Sequence, residues 1–91
     1  MSEYTNFPPI KSLKAVLQFK PSAALLYIEL WKIHLNSKSA YFPVPIMMIR
    51  KHFLMSPTLF KNHIISLTDI DLIKYRIANE QYFIKFTEEN V

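Results

Sequence analysis

Apolar residues recur along this chain with two different periods, and the change of period divides it. Ile10, Leu13, Val16 and Leu17 fall at helical spacing with Lys11, Lys14 and Gln18 between them, which predicts a short amphipathic helix over 10–19. Lys20, Pro21 and Ser22 interrupt it. Pro21 or Ser22 then opens a second helix over 22–36, since proline suits a first helical turn and serine caps one. Its apolar stripe is Ala24, Ile28, Trp31 and Leu35, broadened by Leu25 and Leu26. Ala40, Tyr41, Phe42 and Pro43 read as a short edge strand, because proline within a sheet is confined to edges. Helical period returns over 45–54, with Ile46, Ile49 and Phe53 inward and Arg50 and Lys51 outward. A further helix follows over 57–68. Ser56 is its natural N-cap, Pro57 suits its first position, and Phe60, Ile64 and Leu67 form its stripe at i, i+4 and i+7.

From there the period drops to two. Ile73, Tyr75 and Ile77 alternate with Lys74 and Arg76, and Tyr82, Ile84 and Phe86 alternate with Phe83 and Lys85. Two strands at 72–77 and 82–86 are expected, joined around Asn79 and Glu80 as an antiparallel hairpin. The stripes together predict a core of Leu25, Ile28, Trp31, Ile49, Phe53, Phe60, Ile64, Leu67, Ile73 and Ile84. The fold class is mainly α with a small β-hairpin, an α+β chain.

At 91 residues and 51% hydrophobic composition, the chain has material for one modest core. It is expected to form a single domain over 10–86, with a flexible lead-in at 1–9 and a frayed tail at 87–91. No apolar run approaches the roughly 20 residues that span a bilayer. The first residues lack the basic-then-apolar layout of a signal peptide, so a cytoplasmic protein is expected. With no cysteine, disulfides and thiolate metal sites are excluded. With no glycine either, where about 7% is usual, glycine-rich loops that cradle phosphates are excluded, because a Cβ blocks the backbone approach they need.

Charge is distributed unevenly. The net charge is +4, yet between Glu3 and Asp69 the one acidic residue is Glu29, while Asp69, Asp71, Glu80, Glu88 and Glu89 collect at the end. A basic body suits a polyanion such as nucleic acid. Catalysis finds little footing. His34, His52 and His63 are scattered over three helices without a carboxylate or hydroxyl at catalytic spacing, and a metal needs more ligands. His63 is expected to pack beside the core with a hydrogen bond, and His34 and His52 to lie on the surface. No enzymatic role, cofactor or metal is expected.

Two helices joined by so tight a link read as a helix-turn-helix. Helix, turn, helix and hairpin in that order resemble the winged helix-turn-helix superfamily. Ser56, Thr58, Phe60, Ile64, Leu67, Leu72 and Ile73 match its capped recognition helix and the opening of its wing, and the resemblance covers about residues 21–86. Residues 7–30 are loosely similar to the start of plasmid and phage replication-protein domains. Two departures stand out. Asp71 occupies a position where the family usually has glycine, and asparagine-like residues tolerate the left-handed backbone such a turn needs. Leu59 and Ile65 lie on the outer side of the recognition helix, where DNA-binding members tend to be polar or basic, and Glu80 stands at the wing tip.

The resemblance implies a duplex-DNA-binding protein, a transcriptional regulator or replication accessory of a bacterial, plasmid or phage system. The helix over 57–68 then lies in the major groove. Asn62 is the candidate for a base edge, since an amide can bond adenine bidentately. Lys61 reaches guanine or phosphate, and Ser56, Thr58 and Ser66 are polar groups on the outward sides. Arg50, Lys51, Lys74 and Arg76 hold the backbone. A single such unit makes few base contacts, so a homodimer through residues 10–19 is expected. The alternative is a module that docks another protein through Leu59, Ile65 and Tyr41.

Overall fold

The computed structural model describes residues 8–87. Residues 1–7 of the lead-in expected over 1–9, and 88–91 of the tail expected over 87–91, lie outside the described residues. Helices come first in the chain and the hairpin last, as the periods predict: α1 (Ile10–Phe19), a 3-10 turn (Pro21–Ala23), α2 (Ala24–Leu35), β1 (Phe42–Pro43), α3 (Ile46–Phe53), α4 (Pro57–Asp69), β2 (Ile73–Ala78) and β3 (Gln81–Phe86). The strands form one antiparallel sheet in the order β1-β3-β2. The architecture is therefore α+β, with four α-helices and a small three-stranded sheet among the described residues. No helix among the described residues is long and apolar enough to cross a membrane.

The sheet has an inner and an outer face. Ile73, Ile84 and Phe86 turn inward and are buried, and Phe42, aligned with Ile84, joins them from β1. Phe86 gathers the aromatic half of the core. Its ring centroid lies 5.1 Å from Trp31 in an edge-on contact, 5.6 Å from Tyr27, and 6.2 Å from the stacked ring of Phe42. On the other half, α4 lays Phe60, Ile64 and Leu67 inward, with Phe60 edge-on to Tyr82 at 5.3 Å. Offset and edge-to-face geometries of this kind add to the burial itself.

Several expectations about burial are corrected. Leu25 is 64% exposed, and α2 instead buries Leu26, Tyr27, Leu30 and Trp31. Its sequence, ALLYIELWKIHL, is largely apolar, and Leu25 falls on the side that Glu29 and Lys32 mark at i+4 and i+7. Ile28 and Phe53 are half-buried rather than core. Ile77 is exposed although its parity is inward, because it stands near the hairpin tip, beyond the helices. Val16 of α1 is fully buried, whereas Ile10, Leu17 and Phe19 are exposed. At the chain's ends, Pro8 is buried, and Thr87 donates its amide to Leu72 O at 3.1 Å and its hydroxyl to Asp71 O. The described ends of the lead-in and tail are thus tied down.

Both helix ends that flank α4's surroundings turn through left-handed residues without glycine. At the end of α3, Leu54 takes φ 55°, and the Met55 amide donates to Arg50 O at 2.8 Å. At the end of α4, Asp71 takes φ 63°, with Leu72 N donating to Leu67 O at 3.1 Å and Asp71 N to Thr68 O at 2.9 Å. The second pattern is a full Schellman cap, sealed by the buried pair Leu67 and Leu72. Asp71 thus serves where glycine is usual. In the hairpin, Asn79 and Glu80 at φ 53° and 62° make the two-residue left-handed turn whose twist matches that of the strands.

Candidate nucleic-acid interface

α4 is set at a fixed angle to α3 by a three-residue link. The Ser56 hydroxyl accepts from the Leu59 amide at 3.0 Å, capping the helix as expected. Arg50 closes the link from the other side: its carbonyl accepts from Met55 N, and its Nε donates to Met55 O at 3.1 Å. Arg50 is half-buried in this role, while Lys51 beside it is exposed. The geometry therefore uses Arg50 as a clasp as well as a cation.

Because Phe60, Ile64 and Leu67 point inward, Thr58, Lys61 and Asn62 are exposed on α4, and Ser66 is half-buried. Leu59 and Ile65 share that outer surface, 41% and 36% exposed. One cation, one amide and two hydroxyls thus alternate with two aliphatic side chains. Further apolar surface lies on α3 and the link, where Met47 is 76% and Leu54 89% exposed.

Lys74 and Arg76 are not part of this surface. They alternate with Ile73 and Tyr75 on β2 and so stand on the outer face of the sheet, opposite the face against which α4 packs. There they meet residues that periodicity did not single out. Lys85 of β3 lies directly opposite Lys74, and Phe83 opposite Arg76. The Tyr41 ring bridges the strands: the Arg76 guanidinium carbon is 4.4 Å from its centroid and the Lys85 ammonium 5.8 Å. Tyr41, the docking aromatic of the alternative reading, is half-buried and serves these two cations as a cation–π platform. Neither Phe83 nor Tyr41 packs against the hydrophobic core. Lys85 could have been found from the strand's alternation. Tyr41 could not, since its place depends on the pairing of β1 with β3.

No family model, curated protein or solved structure matches the chain. Its chemistry is therefore read from its own residues.

The histidines are distributed differently from expectation. His34 is half-buried, not superficial, its ring 5.0 Å from Phe86 and 5.1 Å from Trp31. Its Nδ1 is buried without a hydrogen-bond partner among the described residues. His63 is buried as expected, but its Nδ1 also lacks the expected partner. Burial lowers both imidazoles below their ordinary value, and the ammonium of Lys20 lowers His63 further. Both are favoured neutral. His52 is exposed. Among the described residues, no three His, Asp or Glu side chains come together as metal ligands would.

Proposed function

We propose that this chain is a non-enzymatic, cytoplasmic winged helix-turn-helix protein that binds duplex DNA, serving transcription or replication in a bacterial, plasmid or phage system. In this reading α3, the link and α4 are the helix-turn-helix, and β2 and β3 the wing. The observation that carries it is the exposure of Thr58, Lys61 and Asn62 on one side of a capped helix whose other side is locked into the core. A helix so anchored can enter a major groove without losing packing. Asn62 then reads a base edge, Lys61 neutralises phosphate or meets guanine, and Lys51 adds charge from α3. A mobility shift with random duplex at low and moderate salt tests it, since phosphate contacts weaken steeply as salt rises.

Exposed apolar residues of α1 fit a second copy. Ile10, Leu17 and Phe19 give that helix a surface the core does not cover, and pairing would present two α4 helices to two half-sites. Light scattering at high micromolar concentration is expected to give a dimer that deletion of residues 1–19 converts to a monomer. An unchanged monomer contradicts the pairing.

Leu59 and Ile65 support a second reading, a module that docks another protein through α4. Apolar docking resists salt where phosphate binding does not. Binding that persists at high salt and is lost on Ile65→Asp favours this reading over the first.

A further inference from the structure

We infer that the outer face of the sheet is a second nucleic-acid surface, one that takes a single strand by seating its phosphates on Lys74, Arg76 and Lys85 and its bases against Phe83 and Tyr41. The inference stands apart from the duplex reading of α4, because these side chains lie on the opposite face of the sheet from the one α4 covers.

Three observations carry it. First, the register sets Lys74 directly opposite Lys85. Like charges facing each other across two strands repel. Among the described residues, none of Lys74, Arg76 and Lys85 pairs with a carboxylate. Tyr41 offsets the charge of Arg76 and Lys85 in part, but no carboxylate among the described residues pairs with the facing lysines, and such a local conflict marks a place where something outside the chain completes it. The missing partner is anionic. Second, the same face carries rings that serve no core. Phe83 sits on the central strand, aligned with Pro43 on one side and Arg76 on the other, and Tyr41 lies over the strands between Arg76 and Lys85. A small anion needs no rings, and a duplex keeps its bases stacked on one another. A single strand offers phosphates and free base faces together, and interleaved cations and aromatics are the surface that holds both. Third, the face runs at one end into an open cleft of about 440 Å³ lined by Lys74, Lys85, His34 and Thr87. That volume lies in the range of small-ligand pockets, enough to seat one unit of the strand at the end of the track.

The test is fluorescence anisotropy of the full chain with a labelled oligo-dT strand and, separately, a labelled random duplex, each across a salt series. The single strand is expected to bind at low salt. Lys74→Gln with Lys85→Gln should lower the single-strand salt slope by about 1.4, two phosphates at about 0.7 each. Phe83→Leu keeps the charge and removes the ring, and it should weaken single-strand binding about five-fold or more at every salt concentration. Melting temperature controls for folding, and the lysine pair, Lys74 exposed and Lys85 half-buried, serves if Phe83→Leu melts early. Random-duplex binding should survive all three changes, while Lys61→Ala should lower its salt slope by about one. Loss of duplex binding in the sheet variants, without any single-strand binding, assigns the face to duplex and overturns the inference. Undiminished single-strand binding by Phe83→Leu overturns the stacking surface. A poly-glutamate peptide that displaces the strand at equal charge concentration overturns it in favour of an acidic protein partner. If Lys61→Ala leaves the duplex salt slope unchanged while the sheet variants lose the single strand, the duplex proposal fails and this one stands.

Discussion

The outer side of α4 and the outer face of the sheet are both solvent-exposed and both cationic, but they are built differently. On α4, one cation and one amide are diluted by Leu59 and Ile65. On the sheet, Lys74, Arg76 and Lys85 crowd around Tyr41 and Phe83. The difference follows from the two periods. A helix spreads successive residues around a cylinder, so a short run of polar residues is divided among several directions. Paired strands return every second residue to one face and set neighbours opposite one another, so charges from distant positions are concentrated. Geometry for reading base edges belongs to the helix. Density of charge belongs to the sheet.

The most severe way to break both surfaces at once is to remove the platform they share. Trp31 is buried edge-on against Phe86, at the junction of α2 and the sheet. Trp31→Ala is expected to cost about 3–5 kcal/mol, a large part of the stability of so small a chain. Thermal melting checks it, and a variant melting within a few degrees of the parent would place Trp31 outside the core.

Sharpening the comparison needs changes confined to α4. Asn62→Ala should cost about 1–3 kcal/mol on a preferred duplex site and little on random duplex, because an amide supplies geometry rather than charge. Ile65→Asp should abolish any apolar docking, but its carboxylate also opposes phosphate, so Ile65→Ala, which weakens docking and leaves duplex binding near normal, is its companion. Competition titrations with the two duplexes separate these outcomes, with melting temperature as control.

A smaller effect concerns how the two surfaces are joined to their helices. Leu54 and Asp71 both turn through left-handed backbone, but the aspartate tolerates it and the leucine does not. Leu54 is also almost wholly exposed, so little packing is lost with it. Leu54→Gly should therefore stabilise by about 1 kcal/mol, and Asp71→Gly by less. Denaturant midpoints measure both. Equal gains would mean that backbone strain does not differ between the two turns.

How much of this was legible in the sequence depended on whether a feature was local. Ser56 and Pro57 announced the start of α4, and proline with alternating residues announced the edge strand and hairpin, because caps and periods are properties of neighbouring residues. The face of α2 was hard to read: Leu25, Leu26, Tyr27 and Ile28 run in succession, and only Glu29 and Lys32, at i+4 and i+7 from Leu25, mark the solvent side. The cluster on the sheet was half legible. Alternation put Lys74 and Arg76 on one face, but Tyr41 joins them only through the pairing of β1 with β3, which no local pattern encodes. The buried Nδ1 of His34 is illegible for the same reason, since the neighbouring rings Phe42 and Phe86 come from distant positions in the chain.

The pH response is expected to touch stability and not the contrast between surfaces. His34 and His63 have folded-state values below the ordinary one, so in the window below about 6.5 the unfolded chain binds more protons than the folded one. Stability is therefore full above that value and is lost as pH falls from it toward the lowered folded values. Melting temperature should drop between pH 7.5 and pH 5.5, and His63→Gln should flatten the drop. A rise on acidification would contradict the burial of these rings.

The central proposal, that α4 binds duplex DNA, is tested most directly by the salt dependence of random-duplex binding in the parent chain and in Lys61→Ala. The account predicts affinity that falls steeply as salt rises, with a slope reduced by about one in the variant. Duplex binding that ignores salt, or a slope identical in the two proteins, would contradict it.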